Sequence, residues 1–366
     1  MYLLSNPLRL KGLAASAGLA QGAVVADPCA AQALFSRCPR AARTPLRELP
    51  QLAKHFAVGE LWVKDESERL GLGSFKALGA AHAIAREAAQ RVEAAGGESD
   101  ADVWREALAG EVLVCASAGN HGLSVAAGAR IFGARAVVYL SRAVPEAFAE
   151  RLRARGAQVC RAGDTYEDSM AAAAADAQRY GWTLLSDTTW PGYVEWPQRV
   201  MEGYLILGAE ALEQLPAPAT HVFVQAGVGG FAAAMTALLR AHWGDAPRIV
   251  VVEPASAPAL LESVRAGRAE RTAGPTSVMG RMDCKEPSHL ALAELAREAD
   301  AFVTLTDAES LETVAAIAQC GLVTTPSGAA GISALHHADA AARAALGLDR
   351  DSRVLAFMTE GPEDAT

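Results

Sequence analysis

The sequence predicts an α/β protein built as two doubly wound, three-layer α/β domains. Three observations point there. Short apolar runs alternate with longer helical stretches, the pattern of a parallel sheet covered by helices. Glycine-rich turns fall between an apolar run and the helix that follows it. A chain of 366 residues also suits two packed subdomains better than one. In chain order, the β-rich run at 60–64 reads as a strand and the Ala-rich stretch 75–95 as a helix, with a solvated Gly-Gly-Glu-Ser-Asp loop at 96–100. The apolar run 112–116 is a buried strand, followed by a Gly-Asn-His loop and a helix through about 132. Strands are expected at 136–140 and 158–161, with helices over 145–155 and 166–179. Two central strands, 222–226 and 248–253, flank a helix at 230–242, and 353–357 reads as a last strand. A ligand cleft is expected where the strand carboxyl ends meet.

Composition narrows the function. The chain is 51% hydrophobic and 20% charged, an ordinary globular mix. Its formal charge of −9 argues against nucleic acid as a partner. Six scattered cysteines (29, 38, 115, 160, 284, 320) form no Cys-x-x-Cys, so reduced thiols are expected rather than disulfides or a metal site. Cys284, among polar residues, is the one to watch for reactivity, and an inert thiol is the better reading. Residues 13–26 are uncharged and follow Arg9 and Lys11, resembling a secretory leader, but Gly, Ser and Gln dilute the centre. No run reaches the ~18 apolar residues of a spanning helix. The expectation is a cytoplasmic protein with no membrane partner.

Five short strings carry the chemistry. Lys76 opens a small-residue helix (Ala77, Gly79, Ala80, Ala81) after Gly73-Ser74-Phe75. A lysine there is expected to enter a tight pocket, where desolvation lowers its pKa toward the neutral amine that Schiff-base chemistry needs. The plainer reading is an ordinary helix lysine. Ser117-Ala118-Gly119-Asn120-His121-Gly122 lies between strand and helix, where backbone N–H groups and the helix end favour an anion such as a carboxylate. Asn120 can donate to a phenolic or carbonyl oxygen without acting as an acid or base. Otherwise the loop is a plain turn.

Gly227-Val228-Gly229-Gly230, after an apolar strand, has the form of a phosphate-cradling nest. Its Gly-x-Gly-Gly spacing and late position demote a dinucleotide site, which wants Gly-x-Gly-x-x-Gly early in the chain. Asp187, in Asp187-Thr188-Thr189-Trp190, is either a turn cap or a carboxylate that holds a cationic substrate group or assists proton transfer. Ser327, in Thr325-Pro326-Ser327-Gly328, is either a helix N-cap or a neutral hydroxyl offered to a heteroaromatic nitrogen.

In their order and spacing four of these, Ser74-Phe75-Lys76, Gly119-Asn120-His121-Gly122, Gly227-Val228-Gly229-Gly230 and Ser327-Gly328-Ala329, resemble the fold-type II pyridoxal phosphate enzymes, the tryptophan synthase β and threonine dehydratase-like group. Within it, the chain is most similar to diaminopropionate ammonia-lyase. That similarity rests on Thr44-Pro45-Leu46, Val63 through Ser67, Phe75-Lys76, Asp187-Thr188 with Trp190 and Gly192-Tyr193, Met201 through Tyr204, and Met279-Gly280 with Cys284, over roughly 44–340. The resemblance implies pyridoxal 5′-phosphate in the cleft between a larger cofactor-binding domain, residues 1–78 and 198–366, and a smaller mobile domain, 79–197. It implies that Lys76, behind Phe75, carries the cofactor as a Schiff base. Gly227, Val228, Gly229 and Gly230 would hold the phosphate and Asn120 the phenolic oxygen. Ser117, Ala118, Gly119 and His121 would take the substrate carboxylate, and Ser327 would meet the ring nitrogen. A serine there leaves the ring nitrogen largely neutral, which favours β-elimination over transamination. A homodimer is implied as well.

The sequence departs from these lyases at Ala118, where they carry an acid suited to D-isomers. Lys76 is therefore expected to be the sole base and L-substrates the only ones used. The expected reaction is β-elimination of ammonia from 2,3-diaminopropionate, with Asp187 steering the β-ammonium. A serine/threonine dehydratase, or a β-eliminase for another β-substituted amino acid, is the alternative enzyme. A non-catalytic cofactor-binding module and an NAD-dependent dehydrogenase remain as readings from other classes.

Overall fold

In the computed structural model residues 1–97 and 101–362 are described; the loop expected at 96–100 thus falls partly on residues 98–100, outside them. Among the described residues eleven strands form two sheets. The strands are β1 (Tyr2–Ser5), β2 (Leu46–Glu48), β3 (Glu60–Asp65), β4 (Val112–Ala116), β5 (Arg135–Leu140), β6 (Gln158–Arg161), β7 (Thr183–Leu184), β8 (His221–Gln225), β9 (Arg248–Pro254), β10 (Ala301–Leu305) and β11 (Arg353–Met358). One sheet runs β1-β10-β9-β8-β11-β3-β2 and the other β6-β5-β4-β7. Pairing is parallel except at the two edges of the larger sheet, β1 with β10 and β2 with β3.

Both sheets are covered on both faces. Along β8, Val222 and Val224 enter one apolar cluster while Phe223 enters another. Along β4, Leu113 and Cys115 face the first cluster, and Val112 and Val114 meet Ala173 and Ala177 of the helix Tyr166–Tyr180 on the other face. Burial on both faces is why these strands read as continuous apolar runs rather than alternating ones. The expected strands and helices stand within about two residues of where the sequence placed them.

Some elements were not expected. β1 and β2 are short, half-exposed edge strands with little apolar signal. β10 is a five-residue apolar run that periodicity cannot assign. The 20-residue helix Glu195–Gln214 contains Pro197, Gly203 and Gly208, which read as breakers. Pro197 lies in the first turn, where its missing N–H costs nothing. Residues 13–26 pack on the body: the Ala20 N–H donates to His289 Nδ1 (3.2 Å), and Gln198 Nε2 donates to the Ala23 carbonyl (3.1 Å). No helix among the described residues is long and apolar enough to cross a membrane.

Two contacts fix the helix that carries Lys76, Lys76–Ala94, against Glu195–Gln214. At Gly203 an added Cβ would lie 2.5 Å from the Leu78 carbonyl oxygen and 2.9 Å from Gly79 Cα. At Gly79 it would lie 2.5 Å from Tyr204 Cε1. Beside this crossing sits a buried neutral cluster of two cations and two anions. Lys64 Nζ donates to Glu210 Oε2 (2.7 Å), and Arg69 reaches Glu66 (2.8 Å) and Glu210 (2.7 Å). Pairing is what lets four charges survive burial.

Gly203→Ala should gain about 1 kcal/mol of helix propensity. It should lose more, because the obstructing atoms are backbone and overpacking costs about 1–3 kcal/mol. The expected result is a lowered urea midpoint with an unchanged m-value; an equal or raised midpoint would show that the helices have room to part.

Candidate active site

The carboxyl ends of β4, β8 and β11 deliver their loops to one cleft. Phe75, just ahead of the helix Lys76–Ala94, donates its N–H to the Thr359 carbonyl (3.0 Å), and its ring packs on Tyr204 and Phe231 at centroid distances of 4.9 and 4.7 Å. That anchorage sends Lys76 inward, where Nζ is ion-paired with the Asp187 carboxylate. Burial by itself pushes the lysine pKa down, but the Asp187 carboxylate, with Tyr204 adding to it, more than reverses this. The amine is held protonated, above the ordinary lysine range. The expectation of a neutral amine from desolvation is therefore corrected: it left out the counter-ion. Asp187 mirrors the effect. Burial raises its pKa, and the Lys76 ammonium, by its charge and its hydrogen bond, overcomes that and holds Asp187 ionised below the usual carboxylate range.

The turn that holds Asp187 is pinned by its neighbours. Tyr193 donates its hydroxyl to the Leu184 carbonyl (2.7 Å) and accepts the Ser186 N–H (3.0 Å), while its ring stacks on Trp190 at 4.3 Å. Thr189 is hydrogen-bonded to Ser288 (2.8 Å). In that turn the Asp187 carboxylate is directed to Lys76.

The loop after β4 folds on Ser117, whose Oγ accepts the N–H groups of Gly119 (3.3 Å) and Gly122 (3.1 Å). Ala118 presents its carbonyl to Arg281 Nη1 (3.1 Å). His121 is buried, and Nε2 meets the Leu185 carbonyl (2.9 Å), so it ties the helix Asn120–Ile131 to the strand that leads to Asp187. Burial lowers its pKa and keeps the ring neutral. Asn120 donates its amide to Glu360, whose other oxygen accepts the Thr325 hydroxyl. Ser327 is buried, and its Oγ accepts the Arg281 N–H (3.1 Å). Gln225 Nε2 holds the surrounding carbonyls of Gly328 (3.2 Å) and Phe357 (3.0 Å).

Gly227 to Gly230 close the cleft on the β8 side. Gly229 has φ +100°, a conformation that favours glycine. A Cβ on Gly227 would lie 3.0 Å from Cys284 Sγ. Burial, with the nearby Asp187 charge, pushes that thiol up to about 12, so Cys284 is the inert thiol expected. The helix Gly230–Trp243 begins buried, with no side chain capping it. A buried helix start leaves N–H groups that need a partner, and an anion supplies one. The residues present therefore fit a phosphate here and an aldehyde at Lys76. Asn120 and Ser327 stand ready as neutral hydrogen-bonding groups.

Sequence reasoning gave no role to Arg281, Glu360, Gln225 or Tyr204, although Tyr204 stood in one of the strings that carried the resemblance. Glu360 and Gln225 stand at or just past the ends of apolar strands, β11 and β8, the position at which an open α/β sheet presents functional side chains. That signal was available. Arg281 had none, because its loop has no periodicity.

A cleft of this kind, with a lysine amine at one wall and a phosphate nest at another, defines the pyridoxal phosphate enzymes of two α/β domains. The sequence agrees: residues 39–360 match the family "Pyridoxal-phosphate dependent enzyme", and the chain belongs to it. It is 32% identical over 356 residues to diaminopropionate ammonia-lyase of Salmonella typhimurium, covering 90% of this chain and 87% of the relative. The crystal structure of the Escherichia coli diaminopropionate ammonia-lyase with D-serine superposes with a TM-score of 0.87 at 26% identity, over 98% and 93% of the two chains. The same enzyme with an aminoacrylate-PLP azomethine reaction intermediate gives 0.83 at 27% identity, over 98% and 93%.

Asp187→Asn removes the anion that raises the Lys76 pKa. Cofactor uptake by the apoprotein needs the unprotonated amine, so its rate-against-pH profile, followed in the visible, should move to lower pH by about one unit or more. An unmoved profile would show that another group sets the charge of Lys76.

Proposed function

We propose that the protein is a pyridoxal phosphate-dependent carbon–nitrogen lyase that converts L-2,3-diaminopropionate and water to pyruvate and two molecules of ammonia. The observation that carries this reading is the Asp187 carboxylate lying against the Lys76 amine inside the cleft. A carboxylate suits a β-ammonium as its partner better than it suits the hydroxyl of serine or threonine. The relatives named as diaminopropionate ammonia-lyases support the same substrate.

When bound, pyridoxal phosphate supplies an aldehyde that condenses with amines and a ring that draws electrons from Cα. The chain's own residues do the rest. Lys76 carries the cofactor, gives way to the substrate amine, and then takes the α-proton on Nζ. Asp187 keeps a proton on Nζ between turnovers and pairs with the β-ammonium as it leaves. Gly227, Val228, Gly229 and Gly230 hold the phosphate through backbone N–H groups, Asn120 donates to the phenolic oxygen, and Ser327 stays neutral toward the ring nitrogen. Ser117, Ala118, Gly119 and His121 form the wall for the substrate carboxylate.

Restriction to the L-isomer follows from Ala118. Its methyl stands where the lyases it resembles carry an acid, and Asp187 shares the face of Lys76. The reading includes a larger domain of 1–78 and 198–366 and a smaller one of 79–197, supported by the separate sheet of β4 to β7. The resemblance also supports a homodimer in the cytoplasm.

The test is a panel of L- and D-amino acids with keto acid and ammonia both measured. L-diaminopropionate should yield two ammonia per pyruvate, and the D-isomer should turn over at least about a hundredfold more slowly. A ratio of one, with serine or threonine as the better substrate, would replace the reading with a dehydratase. Lys76→Ala should lose at least about a thousandfold in kcat.

A further inference from the structure

Tyr204 carries an oxygen that its surroundings do not use. The residue is 1% exposed, and its hydroxyl is buried with no hydrogen-bond partner among the described residues. The ring is wedged and cannot turn to find one. It packs on Phe75 at a centroid distance of 4.9 Å and meets Phe231 edge-on at 6.4 Å. Gly79 backs it so closely that a Cβ there would lie 2.5 Å from Cε1 and 2.9 Å from Cζ. Gly79 comes three residues after Lys76, so the two share one face of the same helix. Lys76 Nζ stands 5.9 Å from the centre of the Tyr204 ring. Burial pushes the phenol up to about 12, and the Lys76 ammonium acts against this through its charge and its N–H groups.

An unpartnered buried hydroxyl destabilises a fold, and phenylalanine would fill the same space without that cost. The oxygen is explained if it gains a partner during the reaction, and Lys76 is the neighbour that changes partners. In the resting protein Nζ is ion-paired with Asp187. Once the substrate amine has displaced it, Nζ must aim a lone pair at the α-proton. A nitrogen held at Asp187 as an ammonium has no lone pair to aim. The other titratable groups around Nζ include the protonated Cys284 thiol and the neutral His121 ring. A phenol oxygen can accept one N–H of the neutral amine and leave the lone pair free. It accepts more strongly from the ammonium that forms when the proton arrives.

We propose that Tyr204 is a positioning residue for Lys76: its hydroxyl is a second acceptor that holds the freed amine for proton transfer when Nζ leaves Asp187. This rests on the reading of Lys76 as the base, and not on diaminopropionate being the substrate. Asp187 holds the resting ammonium, and Tyr204 holds the working amine. One nitrogen thus has a separate partner for the state that waits and the state that reacts.

The test compares the unaltered protein with Tyr204→Phe, which removes only the oxygen. The ligand is L-alanine, which has an α-proton and no leaving group. Exchange of that proton with heavy water on the holoenzyme, followed by proton magnetic resonance, should slow at least about tenfold. The pH at which exchange is half-maximal should fall by about half a unit or more, because the ammonium loses an acceptor. Affinities for alanine and for the cofactor should stay within about twofold. The urea midpoint of the apoprotein should be equal or higher, since no hydrogen bond of the resting fold is lost. An unchanged exchange rate or an unmoved pH profile would overturn the proposal. So would a lowered urea midpoint, which marks a packing role, or a loss of cofactor affinity as large as the loss of exchange, which marks a contact with the cofactor. Absence of exchange in the unaltered enzyme would remove Lys76 as the base and this proposal with it. If diaminopropionate is not turned over while alanine exchanges and Tyr204→Phe slows it, the substrate reading fails and the role of Tyr204 stands.

Discussion

An ammonium and a carboxylate held against each other, mostly but not wholly shielded from water, organise this cleft. Partial burial makes either charge costly alone, and each makes the other tolerable. Lys76 comes from the start of a helix braced against Glu195–Gln214, and Asp187 from the segment that leaves the smaller sheet. Their pairing therefore brings two layers to one point. It also sets the protonation of the chemistry. The amine waits as a cation, and any event that occupies Asp187 with another cation releases it. Under the proposed function a β-ammonium arriving in the cleft would be such an event, coupling substrate charge to base strength through a single carboxylate.

Around that pair the fold is rigid where position matters. The backbone-to-backbone approach at Gly79 and Gly203 leaves the lysine helix no room to slide. The Lys64, Glu66, Arg69 and Glu210 cluster ties the end of β3 to the partner helix with full charge compensation. Neutral groups face the cofactor space elsewhere: an amide at Asn120, a hydroxyl at Ser327 and a protonated thiol at Cys284. Lys76 faces Asp187, and Arg281 lies near Glu360, so charge there is arranged in opposed pairs and electrostatics can be directional rather than diffuse.

Legibility was uneven, for physical reasons. Central strands such as β4, β8 and β9 are buried on both faces, so their apolar runs stood out. Edge strands β1 and β2 bury little and left almost no mark. Glu195–Gln214 was hidden by Gly203 and Gly208. Gly203 is there because another backbone presses on it, which no local pattern reveals. The desolvation argument for Lys76 anticipated its enclosed position and not its charge state, because the counter-ion Asp187 is remote in sequence.

Residue type and spacing along the chain were enough for the alternating α/β order, the four site loops and the lysine among them. All of these are local, arising from periodicity and turn chemistry within a few residues. Which charges meet could come only from the folded chain: Lys76 with Asp187 across 111 positions, Asn120 with Glu360 across 240, and Arg281 with the loop at 118 across 163. Electrostatic effects depend on distance in space, and a linear chain does not record that distance until it is packed.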